Sequence, residues 1–338
     1  MLKDVILIVT NTYDESPKQV IAELGQMRAQ FYRFDTDTCP LGKPIAVSLQ
    51  NGTTHGGLKD ETGRQIVSWE NVKTVWYRRP RILALESEGL PTGYLRFMEA
   101  ETSAALWTLW TTLDAFWVNS PMATVLLEHN KLYQQKVARQ VGLDAPDTLI
   151  TNDPEELLKF CNEHGGTIAV KQLRGGLLVR QEDLRPLFIY TQKVSEDQIR
   201  QHMDEVRLAP ILAQEYVQKN LELRVTIVGN KTFACAIHSQ ENQWTKHDWR
   251  RYPDLRRLKH EQYILPREIE DRLLQLMKIL GLNFGAIDLI LAPDERYVFL
   301  EVNPSGQWGW IEELTGMPIS SAICQLLLHS LWSSEIVG

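Results

Sequence analysis

A mixed α/β fold built from more than one unit is what this sequence predicts, and three observations carry the prediction. The chain has 338 residues, more than one ordinary core accommodates. Its first ~120 residues alternate short apolar runs with helical stretches, the pattern of an open α/β layer. Near its C-terminus two apolar strands flank the turn Pro293-Asp294-Glu295-Arg296 and carry carboxylates at strand spacing.

The elements follow in order. Residues 5–10 read as a strand, and 16–30 as an amphipathic helix begun by Ser16 as N-cap with Pro17 at the first helical position. Residues 31–34 and 72–78 are further strands. Residues 94–118 read as one helix, with Trp107, Trp110 and Trp117 as core packing. A second unit begins at Asn119. Residues 128–141 are helical and 148–151 form a strand, and a helix opened by Asp153-Pro154 runs to about His164. The strand 167–173, the pair Gly175-Gly176 and the strands 187–194, 211–216 and 221–228 come next. Gly229-Asn230 turns into 232–238. A helix over 266–280, the two-carboxylate hairpin and a last helix over 319–332 complete the chain. The expected units are 1–118, 119–208 and 209–338.

Composition excludes several classes. A net charge of −7 argues against a general polyanion binder, and no nucleic-acid partner is expected. The apolar run from Val5 to Val9 is too short to cross a membrane and lacks signal-peptide flanks. Cys39, Cys161, Cys235 and Cys324 are scattered without a CxxC pair, which reads as reduced thiols in a cytoplasmic protein. Neither GxxxxGK[ST] nor GxGxxG occurs.

The hairpin carries the strongest chemical signal. If Ala292 pairs with Tyr297, Asp288 stands opposite Glu301, and alternation puts Asn303 on the same side. Opposed Cβ atoms lie about 5 Å apart, where two anions repel unless a cation sits between them. Oxygen-only ligands on a rigid scaffold suit Mg²⁺. Lys131 and Lys171 precede this hairpin. Lys171 sits in an apolar strand, where burial calls for an anion. The turn Arg174-Gly175-Gly176 offers backbone N–H groups to a phosphate. The strand Gln214-Glu215-Tyr216-Val217 offers backbone groups to a base edge. Glu222 and Arg224, two apart, point one way while Leu223 and Val225 face the core. The segment 244–260 is basic and aromatic, and Arg250, with Arg78 and Arg79, reads as a clamp for an acidic peptide.

In this order, the set Lys131, Lys171, Gln214-Glu215-Tyr216-Val217, Glu222-x-Arg224, Asp288 and Glu301-x-Asn303 resembles the ATP-grasp superfamily over roughly residues 119–310. Phe34-Asp35-Thr36-Asp37, Trp76-Tyr77-Arg78-Arg79, Leu223 to Gly229 and Asp248-Trp249-Arg250 are similar to the microviridin-type peptide ligases that form graspetides. The resemblance implies an ATP-grasp fold: an N-terminal open α/β domain, a central lid and a C-terminal ATP- and Mg²⁺-binding domain. Lys131 and Lys171 would contact ATP phosphates. Gln214, Glu215 and Val217 would line the base, and Glu222 would hold the ribose. Arg224 and Lys171 would be catalytic, and Asp288, Glu301 and Asn303 would hold Mg²⁺. Arg78, Arg79 and Arg250 would bind a ribosomal precursor peptide with leader and acidic core, in a homodimer. The implied activity is ring closure: Asp or Glu carboxylates, activated as acyl phosphates, join Ser/Thr hydroxyls or a Lys amine. The alternatives are an ATP-grasp ligase adding amino acids to a protein or metabolite, and a non-catalytic peptide-binding module.

Overall fold

The computed structural model describes residues 4–40, 43–60, 62–81, 90–173, 177–179, 186–188, 190–241, 244–246, 248–251 and 254–333. Four parallel strands form the first sheet, in the order Phe31–Asp35, Val5–Thr10, Val72–Tyr77, Phe116–Val118. Val5–Thr10 is buried at every position, as a central parallel strand covered on both faces must be. Val20 and Leu24 of helix Pro17–Gln26 pack with Ile323 and Leu327 of helix Ile319–Ser333 on one face. Leu106, Leu109 and Trp110 of helix Thr92–Thr112 pack on the other.

Several sequence expectations change here. Ser16 occupies the N-cap position without a capping side-chain bond. The first helix stops at Gln26, because Arg28 turns left-handed (φ 56°) and the Ala29 N–H returns to the Leu24 carbonyl at 3.0 Å. The single helix expected over 94–118 ends at Thr112, where Leu113 is extended. Phe116–Val118 then joins the sheet, placing Trp117 on a strand. Trp110 is buried, but Trp107 is 40% exposed and is not core. The antiparallel meander Ile45–Gln50, Thr53–Lys59, Gln65–Ser68 was not anticipated. Its first strand is mostly exposed and lacks a clean apolar alternation.

The helix expected over 128–141 is two helices, Pro121–Glu128 and Lys131–Gln140. Asn130 caps the second by accepting from the Tyr133 N–H at 3.1 Å. The second sheet is antiparallel, in the order Gln192–Ser195, Thr167–Lys171, Ile211–Glu215, Thr148–Thr151. The strand expected over 187–194 is replaced by Gln192–Ser195 and by Pro186–Phe188, which pairs with Leu177–Val179. Arg174, Gly175 and Gly176 lie outside the described residues.

The third sheet is antiparallel and positions the site: His260–Tyr263, Lys231–Ile237, Leu221–Val228, Phe284–Leu291, Tyr297–Asn303. One face is core. Leu223, Val225, Ile227, Ile287 and Leu289 pack there on Leu273, Leu276, Met277 and Leu280 of helix Arg267–Leu280. Gly281, left-handed at φ 68°, ends that helix. Alternation turns Glu222, Arg224 and Asp288 to the opposite face. Among the described residues no helix is long and apolar enough to cross a membrane.

Candidate active site

The hairpin brings Asp288 opposite Glu301, though by a different register from the one read off the turn. Leu291, not Ala292, pairs with Tyr297, and the offset persists through Leu289 and Phe299. A bulge at Leu300 then restores the pairing of Asp288 with Glu301, Ile287 with Val302 and Ala286 with Asn303. The bulge also lets Phe299 and Val302, three apart, both reach the core while Glu301 faces away from it.

Above this face, between the second and third sheets, lies a cavity of about 520 Å³. Its charged lining mixes the cations Lys131, Lys171, Lys219 and Arg250 with carboxylates that include Glu222, Asp248, Asp288 and Glu301. Lys131 Nζ stands 2.6 Å from Glu301 Oε2, and Arg224 Nη1 donates to Asp288 Oδ1 at 2.8 Å. Lys219 Nζ stands 3.0 Å from Glu222 Oε1. Burial alone would raise the Glu301 carboxyl, but Lys131, Lys171 and Arg250 outweigh it and hold the group down at about 2. Burial pushes the Lys171 ammonium down to about 8, with Glu301 opposing and Lys131, Lys219 and Arg250 reinforcing the shift. Burial likewise raises the Glu222 carboxyl against the pull of Lys219.

The other candidates divide. Gln214 is buried and its Nε2 donates to Thr148 Oγ1 at 3.0 Å. Glu215 and Val217 line the cavity, and the Glu215 N–H is bonded to the Asp147 carbonyl at 2.9 Å. Asn303 is exposed, and its Oδ1 accepts from the Ser305 N–H at 2.9 Å. The three arginines expected to form one clamp are not brought together. Arg250 lines the cavity beside the lysines. Arg78 is 1% exposed, stacked 4.9 Å from the Trp308 ring and ion-paired with Asp14 at 3.6 Å. Its Nη1 donates to the Ser305 carbonyl, and Arg79 donates to the same oxygen through Nε and Nη2 at 3.2 and 3.0 Å. Burial, with Arg79 alongside, pushes the Arg78 guanidinium down to about 9. The sequence reading placed both arginines by their neighbours in the chain, and burial under a residue 230 positions away has no local signal.

Sequence reasoning passed over Lys219, Ile290 and Leu300. Lys219 was legible three residues before Glu222, and Ile290 by alternation from Asp288. Leu300 was not, because only the bulge turns it to the cavity. Gly306 is required beside Arg224. A Cβ there would stand 2.2 Å from Ala286 Cβ and 3.0 Å from Arg224 Nη2.

The donor set fits Mg²⁺ held with a polyphosphate. Among the described residues there is no cluster of three His, Cys, Asp or Glu side chains. Two facing carboxylates and an amide nevertheless match the one or two acids that Mg²⁺ takes alongside substrate phosphates. Lys131, Lys171, Lys219 and Arg250 in the lining, with Arg224 bonded to Asp288, are the cations that could meet an anionic ligand there.

Residues 5–124 match the family model of the MvdD pre-ATP grasp domain, and residues 128–327 that of the RimK-like ATP-grasp domain. Macrocyclase MdnC from Microcystis aeruginosa MRC, solved bound with precursor peptide MdnA, is 32% identical with a TM-score of 0.83. That match covers 96% of this chain and 99% of MdnC. The RiPP-associated ATP-grasp ligase of Chryseobacterium gregarium, solved with ADP and a leader and core peptide, is 30% identical with a TM-score of 0.88, covering 96% and 97%. Among curated proteins, the alpha-aminoadipate–LysW ligase LysX of Sulfurisphaera tokodaii is 24% identical over 187 residues, 54% of this chain. The match spans 61% of that relative's length.

Proposed function

The chain belongs to the ATP-grasp ligases, in the branch of the RiPP-associated macrocyclases, and on that premise we propose that it closes rings in a ribosomally made precursor peptide. The observation that carries the reading is one cavity in which Lys131, Lys171, Lys219 and Arg250 line the space around the facing pair Asp288 and Glu301, with Arg224 bonded to Asp288. A peptide carboxylate is a poor electrophile. Phosphorylation by ATP turns one of its oxygens into a leaving group, and a Ser/Thr hydroxyl or Lys amine of the same peptide then displaces phosphate. Such a transfer calls for charge neutralisation and positioning more than covalent help from the protein. Holding both ends of the peptide in one cleft makes closure effectively unimolecular.

In this reading Lys131 and Lys171 face the polyphosphate, while Gln214, Glu215 and Val217 edge the base and Glu222 meets the ribose. Arg224 faces the phosphoryl group in transfer. Asp288, Glu301 and Asn303 hold Mg²⁺, which when bound neutralises phosphate charge. Arg250 meets the peptide acid at the same cavity. Arg78 and Arg79 act one step back, seating the Ser305 loop. Units 1–118, 119–208 and 209–338 would serve as peptide platform, lid and nucleotide base. A cytoplasmic setting is supported by four buried, free cysteines. A homodimer is supported by exposed Met122, Val125 and Leu126 on one short helix.

Incubation with Mg-ATP and a Thr/Ser- and Asp/Glu-rich precursor tests the reading by mass spectrometry. Loss of one water per ring is the expected result. With free amino acids added to the same incubation, a gain in mass from a joined amino acid would favour the second reading, suggested by the LysX likeness, and no change with any acidic precursor would reject both.

Lys171 adds a pH signature. With its ammonium at about 8, the free enzyme has lost much of that charge by pH 8.5, and an approaching phosphate restores it. Nucleotide binding at pH 8.5 is therefore expected to take up a fraction of a proton, and Lys171→Ala to bind more weakly without that uptake. Calorimetry in two buffers of different ionisation enthalpy reads this directly. Identical heats in both buffers would remove Lys171 from the phosphate site.

A further inference from the structure

Asp248 is 4% exposed, yet it lies in a segment of short turns rather than in the core. Both its oxygens are engaged with Arg250: Oδ1 accepts from Nε at 2.9 Å and Oδ2 from Nη2 at 2.7 Å. This is the two-pronged pairing that fixes a guanidinium plane. Arg250 is otherwise half exposed, 53% at its side chain, and the cavity acids Glu301 and Asp288 lie close enough to act on its charge. The carboxylate thus aims a side chain that would be mobile without it.

A second observation is independent of Arg250. Asp248 Oδ2 also accepts from the Thr191 N–H at 3.2 Å, and Arg251 Nη2 donates to the Thr191 carbonyl at 2.8 Å. Both backbone groups of one residue are thereby held by the 248–251 segment. Thr191 leads directly into Gln192–Ser195, the edge strand of the sheet that roofs the cavity. Arg251 also lies 5.8 Å over the Tyr190 ring, and Trp249 packs on Trp310 at 5.1 Å, anchoring the segment from below. Asp248 caps its own short turn by accepting from the Arg250 N–H through Oδ1 at 3.1 Å. A cap needs neither the fork to the guanidinium nor the bond to Thr191.

We propose that Asp248 is a positioning residue that aims Arg250 into the cavity and ties that aim to the roof at Thr191, so that roof and arginine close as one body. The part concerning catalysis rests on the ring-closing reading above, and the part concerning the roof does not. Displacement of the roof would drag Asp248 and release Arg250. A peptide acid would then meet an aimed arginine only when the cavity is covered.

Two measurements on the full chain test this. In a cycle of Asp248→Asn and Arg250→Ala, Asp248→Asn is expected to lower kcat/KM for the peptide about tenfold to a hundredfold. The double variant should then fall no more than about threefold below Arg250→Ala alone, because the two act as one unit. Losses that multiply would overturn the positioning role. Hydrogen exchange at the Thr191 amide supplies the second readout, with Arg251→Ala as a surface variant that leaves Asp248 in place. Exchange should quicken at least about tenfold in Asp248→Ala, quicken less in Arg251→Ala and stay unchanged in Arg250→Ala. Equal exchange in wild type and Asp248→Ala would overturn the tie to the roof. If no precursor is cyclised at all, the ring-closing reading fails, while the exchange result still decides whether the tie exists.

Discussion

Glu301→Gln is expected to reduce turnover by roughly a thousandfold or more while the chain still folds. The amide keeps the shape of the carboxylate and removes its charge from a position between Lys131, Lys171 and Arg250, opposite Asp288. The loss has a pH signature in stability. The folded carboxyl sits at about 2, below its ordinary 4.5, so its stabilisation is complete above the ordinary value and disappears as pH falls towards 2. Wild type should therefore be the more stable at pH 7, and the gap to Glu301→Gln should narrow at pH 3. Denaturant melts at the two pH values, with ATP and peptide turnover at pH 7, check both halves. A folded variant turning over at wild-type rate would sink the metal assignment.

Arg224→Met carries the second large effect. Arg224 is one-tenth exposed and bonded to Asp288, which is a quarter exposed, so removing the guanidinium leaves a largely covered carboxylate without its cation. Breaking such a pair costs about 3–5 kcal/mol when fully buried, and partial exposure of Asp288 reduces this to roughly 2–3 kcal/mol. Turnover should fall at least about a hundredfold. Adding Asp288→Leu removes the stranded charge. The double variant should regain most of the stability and none of the activity. Recovery of activity together with stability would show that the pair is scaffolding only.

The third sheet was largely legible in the sequence, because its strands carry an alternation that physical chemistry forces. Leu223, Val225, Ile287 and Leu289 must leave water, and Glu222, Arg224 and Asp288 are thereby turned the other way. The facing of Asp288 and Glu301 was also legible, though the turn was read one residue out and the bulge at Leu300 compensated. What the sequence hid was tertiary. Trp117 reads as helix until a neighbouring strand offers it hydrogen bonds. Arg78 reads as part of a clamp for peptide acids until Trp308 and Ser305 cover it. Arg250 reads as a partner of Arg78 and Arg79 until Asp248 is seen to hold it at the cavity, apart from them. In each case the deciding partner lies on another element, and no periodicity reports it.

The shared carbonyl of Ser305 sets an order of events during synthesis. Arg78 leaves the ribosome 227 residues before the oxygen it will bind. At about 5–20 residues per second, the arginine pair waits roughly 11 to 45 seconds for its acceptor. In that interval the strands of the first parallel sheet are made but the helix Ile319–Ser333 that covers one face is not, and among the described residues Asp14 and Ser16 are the side chains already made that pair with Arg78. Asn119 waits in the same way for the backbone of residues 283, 284 and 304. The nascent N-terminal half therefore carries an open polar seat, which the carbonyls of Pro304 and Ser305 fill before helix Ile319–Ser333 arrives to cover the sheet.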